Sequence, residues 1–236
     1  MTQKIPLEDS HLDILSKTQA GLDLSDSALL AAAGVVAEEL AAVREGREHE
    51  QVWRRLAAAL ELGPEALCVA ARQAWYPQQP PALNGFLAFN TAFEDMRVNS
   101  YLVWDPATRE AAAFDTGADA RAMLKVITSD RLQLRQIFLT HTHPDHIADL
   151  SRPAQMTGAT VWAHEREPAN TPPKPALFAD GAKFSIGRLK LEARLTWGHS
   201  PGLTSFIVEG LDQPLAIIGD ALFAGSIGGS RTHFLE

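Results

Sequence analysis

Between Phe138 and Leu150 the chain reads FLTHTHPDHIADL, with His141, His143, Asp145 and His146 crowded into six positions. Imidazole nitrogens and carboxylate oxygens are the ligand atoms of zinc and related divalent cations. His141 and His143 stand two apart, so in extended chain their side chains project the same way and can grip one ion. Asp145 and His146 follow Pro144, where the chain is expected to turn into a helix, and there they can face a second ion. Two cations about 3.5–4 Å apart can hold both an attacking hydroxide and a substrate carbonyl oxygen. The chemistry implied is metal-assisted hydrolysis.

Four side chains do not complete two sites, so other ligands must come from other strand ends. In LTWGHSPGLTSF, His199 follows a strand ending near Leu195, and Gly198, Pro201 and Gly202 form a tight turn that exposes it. In LAIIGDALFAGS, Asp220 follows another apolar strand, where its carboxylate can bridge two cations. Asp115, in FDTG, is a candidate partner for the outer nitrogen of a ligating histidine, with an ordinary turn aspartate as the alternative. His164, in VWAHERE, follows a strand and is read as a non-ligand. His11 and His49 are read as exposed residues of a helical segment. AGSIGGS lacks the lysine and following helix of a phosphate loop and is expected to let backbone approach the metal edge.

The elements that must position these residues are short β-rich runs. They fall at 86–89, 100–104, 111–114, 136–140, 159–163, 183–186, 189–195, 205–208 and 215–218. A helix is expected from Ala118 to Ser129 and another after His146; Pro168 to Pro175 reads as a surface loop. Many strands with few helices indicate a layered α/β or α+β domain. YPQQPPALNG, residues 76–85, is the expected linker into it.

Residues 10–75 have another texture, rich in Ala, Leu and Glu with regular helix punctuation. Ser25 is placed to cap a helix through Ala33 that Gly34 ends. A second helix runs from Ala37 to Glu45, a third from His49 to Leu62, and Pro64 opens a fourth after Gly63. The expected organisation is therefore a helical module over 1–75, a proline-rich linker over 76–85 and a hydrolase domain over 86–236.

Composition bounds the rest. At 46% hydrophobic and 21% charged the chain is globular, and its N-terminus shows no basic cap followed by an apolar core. With no apolar run near the roughly 18 residues of a membrane span, no membrane association and a cytoplasmic address are expected. The single cysteine, Cys68, excludes an internal disulfide and is read as core packing. A net charge of −8 argues against nonspecific binding of nucleic acid.

The three motifs, in this order, resemble the metallo-β-lactamase superfamily, and within it are most similar to the glyoxalase II-like hydrolases. The resemblance spans Phe86 to Gly229 and includes FDTG at Phe114 to Gly117. It implies an α+β fold, an αββα sandwich that is C-terminally incomplete here, preceded by the small all-α domain. It also implies two divalent metal ions, zinc first with iron or manganese as alternatives. His141, His143 and His199 would hold the first ion, Asp145 and His146 the second, and Asp220 would bridge both. The family pattern carries a further histidine in a Gly-His-Gly context well beyond the bridging aspartate. This chain ends at Glu236 with His233 as the sole later histidine, which falls too early to substitute, so a truncated hydrolase domain is expected.

The implied activity is that of a hydroxyacylglutathione hydrolase-like thioesterase acting on a small-molecule thioester or ester. Metal-bound hydroxide would attack the carbonyl, with Asp145 orienting the nucleophilic water. One alternative is a mononuclear iron persulfide dioxygenase. Another, of a different class, is a transcription regulator with a metal-binding sensor domain, because LSDSALLAAAGVVAEELAAVREG resembles the helix-turn-helix of Cro-type phage repressors. In that family the second helix enters the major groove. Here that helix carries Glu38, Glu39 and Glu45 against Arg44, and residues 1–75 hold 7 Lys/Arg against 12 Asp/Glu, a net of −5. DNA should repel such a surface. The module is therefore read as one for docking or for a homodimer.

Overall fold

A computed structural model describes residues 7–230 apart from Glu48, Gln79, Ala169 and Asn170. His233 lies outside the described residues. Contacts divide the chain into a helical unit, residues 7–78 with 222–230, and a larger unit, Pro80–Ala221. The division falls inside the proline-rich linker, where three prolines deny the chain regular hydrogen bonding.

The punctuation of the helical unit acts where it was expected. Helices α1 (His11–Gly21), α2 (Asp26–Ala33), α3 (Ala37–Arg44), α4 (Glu50–Ala59) and α5 (Pro64–Ala71) follow one another. The Ser25 hydroxyl accepts from Ala28 N–H at the start of α2, and Gly34 ends it in a left-handed conformation (φ 63°) that other residues adopt at a cost. Pro64 occupies the first turn of α5, where its missing N–H leaves nothing unsatisfied. Leu29, Val43, Trp53, Leu56, Leu67 and Cys68 form the core of this unit. His11 differs from its expected exposure: it is half-buried, its ring edge-on to Trp53 at 5.1 Å, because α1 closes over the core.

The chain after Asp220 has partners of its own. Its hairpin, Leu222–Phe223 with Ser226–Ile227, groups with the helical unit. There Ser226 Oγ donates to Asp9, and Lys17 Nζ sits 5.0 Å from the centre of the Phe223 ring. The residues from Leu222 to Ser230 thus share a contact unit with the helices, and the two layered sheets lie within Pro80–Ala221.

In the larger unit, β1 (Phe86–Phe93), β2 (Met96–Trp104), β3 (Glu110–Phe114), β4 (Gln133–Phe138), β5 (Thr160–His164) and β6 (Ala176–Phe178) form one sheet in that order. The pairs from β1 to β3 are antiparallel, and those from β3 to β6 are parallel. Parallel pairing requires crossovers, which carry α6 (Arg121–Ser129), α7 (Pro144–Ile147) and α8 (Ser151–Thr157). A second, antiparallel sheet runs β7 (Lys183–Ile186), β8 (Leu189–Leu195), β9 (Thr204–Glu209) and β10 (Leu215–Ile217). Strand β6 had no sequence signal of its own, being three residues long after a proline-rich run. Thr171 and Pro175 in that run are buried, not on the surface as expected.

The first sheet buries different residues on its two faces, as strand alternation requires. One face packs Ala113, Ile137 and Ala163 against Met123, Leu124, Ile127 and Leu150 from the helical side. The other face packs Phe114 and Phe138 against Phe206 and Val208 of the second sheet. Phe114, Phe138 and Phe206 lie 5.3–5.4 Å apart and are fully buried. Each contributes about 1.5–3 kcal/mol by burial, an upper bound. Helices, mixed sheet and antiparallel sheet are thus three layers, and the ends of β3 to β5 are held rigidly. No described helix is long and apolar enough to cross a membrane.

Candidate metal centre

Strand β4 ends at Phe138, and the next residues stay anchored: Leu139 N–H donates to Trp162 O, and Thr140 O accepts from Thr204 N–H. His141 therefore leaves a fixed point between the two sheets. His143 keeps extended backbone, and Pro144 opens α7, which carries Asp145 and His146. His199 comes from the β8–β9 turn and Asp220 from the 3₁₀ turn Gly219–Ala221 after β10.

All six side chains meet. His143 Nδ1 is 3.0 Å from His141 Nε2 and 2.9 Å from His199 Nε2. Asp220 spans the cluster, with Oδ2 3.3 Å from His199 Nε2 and Oδ1 3.2 Å from His146 Nε2. Asp145 Oδ2 approaches His146 Nε2 at 3.4 Å. Among the described residues two tight sets of three donors form: His141, His143 and His199, and His141, His146 and Asp220. Asp145 belongs to neither, and His141 belongs to both.

These spacings fit a cation. Bonds of about 2.0–2.1 Å put neighbouring ligand atoms roughly 3.3 Å apart in a tetrahedron and roughly 3.0 Å apart in an octahedron. Three imidazole nitrogens converging at 2.9–3.0 Å with few protons to share repel one another, and a positive charge between them removes that cost.

The outer nitrogens are engaged in a way that fixes each ring. His146 Nδ1–H donates to Asp115 Oδ2 at 2.8 Å. The Thr140 hydroxyl donates to the same oxygen at 2.7 Å and so accepts from His141 Nδ1–H at 3.1 Å. Asp115 Oδ1 accepts from Thr140 N–H at 2.8 Å. Both Nε2 atoms therefore face the cluster. Gly219, at φ +50°, permits this packing, since a Cβ there would lie 2.6 Å from Thr140 Oγ1.

Electrostatics follow from burial and neighbours. Burial, with the charge of His146 beside it, pushes the His141 imidazole down to about 2. Burial and His199 also lower His143. For His146 burial acts downward too, but Asp115 and Asp220 win and hold it well above the usual imidazole range. For Asp220 burial acts upward, but hydrogen bonding and charge from His146 dominate and bring it down to about 2. Neutral His141 and ionised Asp220 are the forms that ligate. His141 and His146 are buried, while His143, Asp145, His199 and Asp220 are half-buried.

A family model described as the metallo-beta-lactamase superfamily matches residues 94–232. The chain belongs to the metallo-β-lactamase superfamily. Among superfamily relatives it is 32% identical over 133 residues to a probable metallo-hydrolase, YqgX, of Bacillus subtilis, covering 49% of this chain and 62% of the relative. It is 31% identical over 139 residues to a hydroxyacylglutathione hydrolase of Pseudomonas entomophila, covering 58% of this chain and 51% of the relative. The chain thus spans about half to three-fifths of the length of these curated relatives. A metallo-beta-lactamase structure from Staphylococcus aureus shares the fold, with a TM-score of 0.54 and 24% identity over 64% of this chain and 47% of that one.

Two histidines read as non-ligands lie in neither donor set. His164 is buried at the end of β5, edge-on to Phe178, and joins neither donor set. His49 is exposed in the helical unit. One residue escaped sequence reasoning: Glu167, a buried carboxylate beside the histidine loops. Its motif, HERE, carries only a short charge run with no local sign of burial.

Proposed function

We propose that the chain is a cytoplasmic metal-dependent hydrolase of a small-molecule thioester or ester, of the hydroxyacylglutathione hydrolase type. The observation that carries this reading is the convergence of His141, His143, Asp145, His146, His199 and Asp220 at one sheet edge. His141, His143 and His199 would hold one divalent ion; His146 and Asp145 would hold a second, with Asp220 between them. Bound there, zinc or a similar ion supplies Lewis acidity, making water acidic near neutral pH and polarising a carbonyl. The protein's part is to place and to exclude. Asp115 and Thr140 hold the His146 and His141 rings in one tautomer. Asp145, partly exposed, would accept a hydrogen bond from the attacking water and orient it. The buried side of the cluster keeps bulk water from competing.

Metal analysis of the purified chain, with turnover of S-acyl glutathiones and simple thioesters, tests this. Up to two equivalents of zinc, with hydrolysis that chelation abolishes, are expected; absence of both metal and turnover rejects the reading. A second reading, an iron persulfide dioxygenase, draws on His141, His146 and Asp220, a two-histidine, one-carboxylate set that suits iron. Iron content with oxygen uptake on glutathione persulfide would favour it. The helical unit is proposed for docking or self-association, because α3 presents Glu38 and Glu39 where a reading helix needs cations. Sedimentation velocity and a DNA mobility-shift assay at low and high salt separate these roles.

A further inference from the structure

The most heavily used carboxylate near the cluster is not one of the six. Glu167 follows β5 and is 7% exposed, and among the described residues it forms no ion pair. Burying an ionised carboxylate without a cation is costly unless several donors compensate. Glu167 has four. Its Oε2 accepts from Thr142 N–H at 2.8 Å and from the Thr142 hydroxyl at 2.6 Å. Its Oε1 accepts from the Ser200 hydroxyl at 2.6 Å and from Gly202 N–H at 2.8 Å.

The partners are not arbitrary. Thr142 lies between His141 and His143, and Ser200 follows His199. One oxygen of Glu167 therefore holds the loop that carries two histidines, and the other holds the loop that carries the third. The two loops are 25 and 33 positions from Glu167 in sequence. Residue 202 also has to be glycine for this reach, because a Cβ would lie 2.8 Å from Glu167 Cγ and 3.0 Å from Oε1. The requirement is for a carboxylate. An amide at 167 has one accepting oxygen and would turn N–H groups toward a backbone N–H of one loop.

We propose that Glu167 is a positioning residue that buckles the two histidine loops together, setting the approach of His199 to His141 and His143. The inference rests on the metal-centre reading. It concerns no group that touches substrate.

Glu167→Gln in the full chain tests it, with Zn²⁺ affinity from a chromophoric chelator competition, the visible spectrum of Co²⁺-loaded protein, and circular dichroism for folding. The expected result is a folded variant that binds Zn²⁺ roughly 10–100-fold more weakly and shows a changed Co²⁺ spectrum. Wild-type affinity with a wild-type Co²⁺ spectrum would overturn the inference while leaving the metal centre intact. Wild-type protein that takes up neither ion would instead overturn the metal-centre reading, and this inference with it. If Glu167→Gln does not fold, Thr142→Val with Ser200→Ala decides. Each removes one hydroxyl donor and keeps the backbone bond, so the double variant should bind Zn²⁺ at least roughly threefold more weakly; unchanged binding refutes the buckle.

Discussion

Asp115 Oδ2 and His146 Nδ1 lie 2.8 Å apart with both side chains out of solvent, so the carboxylate dictates which imidazole nitrogen carries the proton. Asp115 also adopts φ +55°, a conformation that Asn and Gly tolerate. Asp115→Asn should therefore fold. It would turn an N–H₂ group toward His146 Nδ1–H or Thr140 and favour the tautomer that blocks Nε2. Isothermal titration should show Zn²⁺ affinity at the His146 side reduced about 10–100-fold, and unchanged affinity would remove Asp115 from the site's machinery.

Asp145 stands apart from both three-donor sets and touches the cluster through His146. If it orients the attacking water, Asp145→Asn should lower kcat for thioester hydrolysis by roughly 10²–10⁴-fold. The His141, His143 and His199 set should still retain one equivalent of metal. Wild-type kcat in that variant would reassign the role.

Metal should act as a ligand of the folded state alone. At a free Zn²⁺ concentration 100-fold above Kd the stabilisation is about 2.7 kcal/mol, which raises the thermal midpoint by roughly 5–10 °C. Differential scanning of chelator-treated and Zn²⁺-loaded protein measures it. Coincident midpoints would show that the cluster does not bind the ion.

Far from the site, Asp105 Oδ1 and Oδ2 clasp the guanidinium of Arg188 at 2.9 and 3.0 Å and accept from Arg188 N–H. The hydrogen bond from the Arg188 side chain, against the upward pull of burial, holds the Asp105 carboxyl well below the usual carboxylate range. A depressed folded-state pKa contributes stability in full above the unfolded value near 3.9 and loses it as pH falls toward the folded value. Asp105→Asn should lower the midpoint by roughly 3–10 °C at pH 7. Its deficit against wild type should shrink below about pH 4. A deficit that does not change with pH would place the loss in packing instead.

Much of this molecule was legible one residue at a time. Strands β7 and β8 match the alternating runs that announced them, and Ser25, Gly34 and Pro64 end or begin helices because their local conformations suit those positions. The histidine motif was legible for a similar reason: an apolar strand running into His141-Thr142-His143-Pro144 positions its ligands locally. Strand β6 was not, since three residues beside prolines carry no period and pair only because β5 offers an edge. Nor was the place of the hairpin after Asp220, whose partners Asp9 and Lys17 lie more than 200 positions earlier.

The chemistry on offer was thus settled by residue types and short spacings, which need no knowledge of the rest of the chain. Tertiary structure alone decided that His141 serves both donor sets and that Asp115 sets the His146 tautomer. It alone brought Glu167 under two loops at once. Those relationships depend on hydrogen bonds across 25 to 33 positions, and such bonds form only after two sheets and a helical layer have packed and closed the distances.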